Sequence, residues 1–199
     1  MASNPTAVEP VESPELLARN LWVGARLWAA AQSFFFVAFL FAFFYLRALN
    51  SNGIWRGWPK HPHLHPSWAF GIAILVCVVV SAGLLKLPGI TASPRWRFVG
   101  LLSLVLGLAA VALQVAEYTS LGFGPTDGGY ASVFVGWTGL YALTVLGTMY
   151  WITTVIAGSF RRPAAPTVLQ VAEAEAVAFV WVVLAVVEIV AFILLYVVA

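Results

Sequence analysis

Three histidines alternate along one short segment, and imidazole groups are common metal ligands. His61, His63 and His65 form the pattern HPHLHP, and alternate side chains of an extended segment project to the same face. Imidazole groups at this spacing are compatible with a metal site. Two prolines interrupt the segment and no acidic residue lies nearby, so we favour an ordinary loop over a metal site.

A single glutamate lies about halfway along the last apolar stretch of the chain. An ionised carboxylate at the centre of a bilayer is costly, so Glu188 must be neutral, paired, or turned towards protein or water. One interpretation is a carboxyl group that handles protons or contacts a ligand. We favour the other, a hydrogen bond to a neighbouring helix or subunit, because no cationic partner is evident.

Further polar side chains lie within the apolar stretches. Gln32 lies in the first stretch, where an amide typically bonds between helices. Glu117 lies near the outer end of the third stretch, beside Gln114 and Tyr118, and we expect its carboxylate to extend towards water. The fourth stretch carries small residues, which predict close helix packing.

Several kinds of chemistry are not expected. No histidine lies within an apolar stretch, so we expect no haem or copper bound by this chain within the membrane. Cys77 is the one cysteine, which excludes an internal disulfide and a cysteine-based metal cluster. Phosphate-binding glycine loops, nucleophile elbows and HExxH motifs are absent from the sequence. We therefore expect no catalysis by this chain alone.

The composition is typical of a membrane protein. Of 199 residues, 62% are hydrophobic and 9% are charged, whereas soluble domains carry about 25% charged residues. The net charge of +2 and the scattered cations give no indication of nucleic-acid binding. Five apolar stretches reach the length of about 20 residues that a spanning helix needs. We predict an all-α integral membrane protein, a five-transmembrane-helix bundle in one domain over 20–199, with spans near 21–47, 67–87, 96–121, 129–160 and 172–198.

The ends of the chain and the loops set the expected orientation. Residues 1–19 contain three prolines and three glutamates and read as a polar tail, not a cleaved signal peptide. With five spans, seven cations lie on the side of this tail and three on the other. Because cytoplasmic loops carry the excess of Lys and Arg, we predict a cytoplasmic N-terminus and a C-terminus outside.

Several local motifs occur in an order that resembles subunit III of the haem-copper respiratory oxidases. The similarity begins with the aromatic-rich first span, over residues 26–47, and is most specific over 113–148. Its elements are Trp58-Pro59, Gln114-x-x-Glu117-Tyr118, Asp127-Gly128-x-Tyr130-x-Ser132-x-Phe134 and Thr138-Gly139. The five predicted spans and the predicted orientation are similar to the short bacterial form of that family.

This resemblance implies a non-catalytic accessory subunit of a terminal oxidase in the bacterial cytoplasmic membrane. It would support assembly, bind phospholipids and help to sustain proton uptake by catalytic subunit I, which with the other oxidase subunits would be its partner. Haem and copper would lie in the catalytic partner, and this chain would bind neither. Gln32 stands where the family usually has Glu, Tyr141 lies near the position of a family His, and Glu173 and Glu175 lie where a His and an Asp usually begin the last helix.

Other functions remain open from the sequence. An accessory subunit of a nitric oxide reductase has a similar length and resembles the same family. A small transporter or channel that uses Glu188 as its coupling carboxylate would need a polar path, and the spans supply few polar residues for one. A membrane enzyme with a metal at His61, His63 and His65 is the alternative that we favour least.

Overall fold

The five spanning helices predicted from the apolar stretches are present. The computed structural model describes residues 12–50, 53, 55, 65–160 and 167–198. Over these ranges it is all-helical, with five helices long and apolar enough to cross a membrane. These are α1 (Pro14–Ala48), α2 (Trp68–Leu85), α3 (Trp96–Ser120), α4 (Gly129–Phe160) and α5 (Val168–Phe192), which continues as a π-helix over Ile193–Val198. The all-α, five-helix fold is therefore confirmed; its orientation across a membrane stays a prediction.

Two helices begin earlier than the apolar stretches do, and capping residues account for both starts. Ser13 accepts a hydrogen bond from the Leu16 backbone N–H at 3.3 Å, so residues 14–19, which the sequence assigns to the polar tail, are helical. At the start of α5, Thr167 and Gln170 each accept a bond from the other's backbone N–H. This reciprocal capping box starts α5 at Val168.

A short turn joins α2 to α3, and a charged side chain holds the start of α3 against the end of α4. Gly89 has φ +68°, a left-handed conformation that glycine adopts without steric cost. At the start of α3, Arg97 donates hydrogen bonds to the hydroxyl and backbone carbonyl of Ser159, and its guanidinium lies 4.8 Å from the centre of the Phe160 ring. A cation at a helix C-terminus is favourable, so Arg97 ties α3 to the end of α4.

The bundle is organised around α5, which packs against α1, α2 and α4. The α2 helix packs extensively against α3, and α3 also contacts α4. Aromatic residues on α4 form the centre of the core, with Tyr130, Phe134 and Trp137 all buried. These elements leave a protein-lined interior between α2, α3, α4 and α5, and polar side chains collect there.

Candidate functional site: a buried polar cluster

Glu117 is at the centre of a cluster of polar side chains between α3 and the end of the last helix. Its side chain is 0% exposed. The Tyr196 hydroxyl donates to its carboxyl oxygens at 3.0 and 2.9 Å, and Gln114 Nε2 donates at 3.1 Å. The expectation that Glu117 extends towards water is wrong, because two donors inside the bundle satisfy the carboxylate.

The π-helix and a glycine on α2 place Tyr196 beside Glu117. The ring of Tyr196 stacks on Phe192 within the same chain segment, with centroids 5.2 Å apart. On its other side the ring lies over Gly71, where an added Cβ would come within 2.6 to 2.9 Å of three ring atoms. Only a residue without a side chain allows this close approach.

Tyr130 supports the same segment from α4. Its hydroxyl donates to the Leu195 carbonyl at 2.7 Å. The last carbonyls of a helix have no partner within the helix and need one from elsewhere. Tyr130 therefore supplies a hydrogen bond that the end of the π-helix needs, and it helps to hold Tyr196 in place.

Glu188 faces the interior of the bundle, deeper along α5. The residue is 6% exposed. Tyr141 donates to the Leu184 carbonyl at 3.1 Å, one helical turn before Glu188. Glu188 thus lies inside the bundle, one turn of α5 beyond the carbonyl to which Tyr141 donates.

Gln114 and Tyr141 also line a small cavity between α2, α3 and α4. Its volume is about 10 Å³, close to the smallest space that holds one water molecule. Apolar side chains form the rest of its wall. The cavity is too small for an organic substrate.

The family-like motif between α3 and α4 builds the connection between these helices. Asp127 accepts a hydrogen bond from the Gly124 backbone N–H at 2.6 Å, and the Ser132 hydroxyl donates to the Pro125 carbonyl. The hydroxyls of Tyr118 and Thr138 are 2.6 Å apart and join α3 to α4. A Cβ at Gly139 would lie 3.6 Å from the Tyr118 hydroxyl oxygen, which is ordinary van der Waals contact.

Gln32 contacts a different part of the bundle. Its Oε1 atom lies 3.4 Å from the Thr144 hydroxyl oxygen, which places this contact between α1 and α4. Gln32 is half-buried. Its polar group is therefore used between α1 and α4, and it is not among the hydrogen-bond partners of Glu117.

Most of the candidate residues in the loop between α1 and α2 lie outside the described residues. Trp58, Pro59, His61 and His63 lie outside the described residues, and His65 is exposed just before α2. Within the described ranges, no group of three or more His, Cys, Asp or Glu side chains is arranged to hold a metal ion.

A second interhelical hydrogen-bond group was not predicted. The Trp181 indole N–H on α5 donates to the Ser81 hydroxyl on α2 at 2.6 Å, and Ser103 on α3 donates to the Ser81 carbonyl at 3.3 Å. The Trp181 ring also lies against Gly107, whose added Cβ would come within 2.9 Å of it. Small and hydroxyl-bearing residues within α2 and α3 were the signal for this contact.

Together, these bonds show what the polar residues do. Glu117, Tyr118, Tyr130, Tyr141 and Trp181 each bond to an atom on another helix or on the π-helix. Buried polar groups in a membrane are stabilised by such partners. The arrangement fits helix positioning, with the Glu117 carboxyl group as an acceptor for the π-helix.

Comparison with known proteins gives a distant relative. The chain is 29% identical over 134 residues to the cytochrome c oxidase subunit 3 of Struthio camelus, an alignment that covers 64% of this chain and 51% of that protein. The chain thus spans about half the length of the curated relative that it matches. No protein-family model matches the chain. Cytochrome c oxidase subunit 3 is therefore a distant homologue of this multi-pass membrane protein.

Proposed function

We propose that the chain is a non-catalytic accessory subunit of a haem-copper terminal oxidase, equivalent to subunit III. The observation that carries this proposal is the similarity to cytochrome c oxidase subunit 3 over 64% of the chain. In this proposal the chain lies in the bacterial cytoplasmic membrane, with its N-terminus in the cytoplasm. It binds catalytic subunit I, which holds the haem and copper, and it contacts phospholipids.

The internal hydrogen bonds favour a structural, accessory role over a transport role. In the first segment of the family-like motif, Gln114, Glu117 and Tyr118 bond to neighbouring side chains in the bundle. A transporter needs polar groups that line a path for its substrate, whereas these groups hold α3 against α4 and the π-helix. In this proposal the chain contacts its partner as a bundle held together by internal hydrogen bonds. Through this contact it stabilises the conformation in which the catalytic subunit takes up protons.

Purification of the tagged chain from native membranes tests the proposal. We expect it to recover a haem-containing catalytic subunit that reduces oxygen, identified by mass spectrometry and a haem spectrum. Deletion of the chain should lower the yield of assembled oxidase or shorten its activity during turnover. Recovery of the chain alone, with oxygen consumption unchanged on deletion, would refute the proposal.

The catalytic partner also separates the related alternatives. Co-purification with an enzyme that reduces nitric oxide, without oxygen reduction, would replace the oxidase assignment. Solute flux into liposomes that contain only the purified chain, abolished by Glu188→Gln, would assign transport to the chain. As a matched control, Glu175→Gln removes a carboxylate near the start of α5 and should leave such flux unchanged.

A further inference from the structure

Tyr196 differs from two other buried tyrosines in the group that accepts its hydroxyl hydrogen. Tyr130 and Tyr141 donate to backbone carbonyl oxygens, at 2.7 and 3.1 Å. Tyr196 donates to the carboxyl oxygens of Glu117, at 3.0 and 2.9 Å. A backbone carbonyl accepts a hydrogen bond but is too weak a base to take the proton, whereas a carboxylate can take it. Of these three hydroxyls, that of Tyr196 therefore has a base beside it.

The donors around Glu117 fit an ionised carboxylate. Its two oxygens accept hydrogen bonds from the Tyr196 hydroxyl and from Gln114 Nε2, and an ionised carboxylate is an acceptor only. The Glu117 side chain is 0% exposed, and a buried charge is costly. A reaction that delivers a proton to Glu117 therefore removes an unfavourable charge from the interior of the bundle.

A short row of aromatic rings connects Tyr196 with the surface of the bundle. The ring of Tyr196 stacks on Phe192 with centroids 5.2 Å apart, and Phe192 contacts the ring of Trp68 edge-on at 5.7 Å. Trp68 lies at the start of α2 and is 50% exposed. Tryptophan and tyrosine are the aromatic side chains that lose a single electron most readily. One phenylalanine ring thus separates Tyr196 from an oxidisable side chain that a surface reagent reaches.

We propose that Tyr196 and Glu117 form a proton-coupled redox pair. A one-electron oxidant of high potential, such as an oxygen-derived radical, takes an electron from Trp68 at the surface, and Tyr196 replaces this electron. The phenolic O–H bond of Tyr196 breaks, its proton forms an O–H bond on Glu117, and a neutral tyrosyl radical is left. The oxidant is reduced by one electron, and Trp68 returns to its original state. The pair then holds the oxidising equivalent inside the bundle until an electron donor restores Tyr196 and Glu117.

Photo-oxidation of the purified full chain in phospholipid nanodiscs tests the pair. The oxidant is photogenerated ruthenium(III) tris-bipyridine in the aqueous phase, and electron paramagnetic resonance of rapidly frozen samples measures the radical. Tyr45 and Tyr150 are exposed, so both are replaced by phenylalanine in every sample to remove their signals. We expect a tyrosyl signal, identified by the change in its hyperfine splitting with ring-deuterated tyrosine. Tyr196→Phe should abolish this signal.

Two further variants separate the proton step from the electron step. Glu117→Gln keeps an oxygen that accepts the Tyr196 hydrogen bond and removes the base, so radical formation should slow at least about tenfold. In the original protein D2O should also slow radical formation, because the proton moves with the electron, and this effect should disappear in Glu117→Gln. A merely structural role of Glu117 would not produce an isotope effect. Trp68→Phe should slow radical formation and leave the isotope effect in place.

Tyr141→Phe is the matched control. Tyr141 is also buried, and its hydroxyl donates to a backbone carbonyl, so this variant should form the radical as the original protein does. A folded chain that gives no tyrosyl signal, or a signal that persists in Tyr196→Phe, would overturn the proposal. Equal rates in Glu117→Gln and the original protein would show that Glu117 does not take the proton. None of these outcomes depends on the proposed oxidase function, which co-purification tests separately.

Discussion

The first and last helices are buried to very different extents. Among the residues of the most apolar 18-residue stretch of each helix, 50% are buried in the last segment and 17% are buried in α1. The last segment carries Trp181 and Glu188 on its interior face. In contrast, α1 presents large aromatic residues such as Phe34 and Phe41 outwards, 77% and 68% exposed.

This difference separates two roles for similar apolar sequences. Side chains on α5 and the π-helix meet polar and aromatic partners on each of the four other helices, so changes there disturb the whole bundle. Side chains on the outer face of α1 meet the surroundings of the protein, either lipid or a partner. Substitutions should therefore have effects on stability that decrease from the α5 contacts to the α1 contacts.

Removal of the Trp181 side chain should give the largest effect. Trp181→Ala leaves a cavity beside Gly107 and removes the donor to Ser81. Large-to-small changes of a buried Trp cost about 3–5 kcal/mol. The unfolding free energy measured by detergent titration in micelles should fall by about this amount.

The control for this experiment is Trp68→Ala, because Trp68 is half exposed and its ring contacts the ring of Phe192 edge-on. This change should cost much less. Equal losses from the two variants would show that α5 does not have the central role that its packing indicates.

A methyl group at Gly71 should displace Tyr196. In Gly71→Ala the new Cβ lies within 2.6 to 2.9 Å of the Tyr196 ring, and overpacking of this kind costs about 1–3 kcal/mol. Gly83→Ala on the same helix meets nothing within 4 Å, so its stability should be unchanged or slightly higher. Thermal unfolding of the two variants, side by side, measures the difference.

The number of helices and most of their lengths could be predicted because the bilayer imposes a minimum apolar length. The uncharged runs 27–46 and 128–160 are long enough to span. The first lies within α1, and the second lies within α4 apart from Gly128. Helix starts were harder to predict. The helical turn at Pro14 depends on the Ser13 cap and not on hydropathy.

The surroundings of the polar residues could not be predicted from local patterns. Glu117 and Tyr196 are 79 residues apart, and their contact depends on a π-helix and on the missing side chain of Gly71. A carboxylate near the end of a predicted span has two possible directions, outwards to water or inwards to a donor. The sequence near Glu117 does not distinguish them, because the main donor comes from another helix.

Loss of the Tyr196 hydroxyl should have an intermediate effect. Tyr196→Phe keeps the ring on Gly71 and removes the donor to Glu117, a change that should cost about 1–2 kcal/mol. Tyr150→Phe, at a residue 75% exposed, is the control and should be neutral. In a double-mutant cycle with Glu117→Gln, the two losses should be non-additive; simple addition would indicate that the pair does not interact.

Loss of the Gln32 amide on α1 should give the smallest of these effects. Its contact with Thr144 is long, at 3.4 Å, and interhelical hydrogen bonds in membranes average about 0.6 kcal/mol. Gln32→Leu should therefore lower the unfolding free energy by about 0.6 kcal/mol or less, measured in the same detergent titration. A loss as large as that of Tyr196→Phe would mean that α1 is held by a buried polar contact as firmly as the π-helix is. If Gln32→Leu gives a small loss and Phe34→Ala is neutral in the isolated chain, the outer face of α1 contributes little to the stability of the bundle. Its exposed aromatic side chains would then serve contacts with lipid or with a partner.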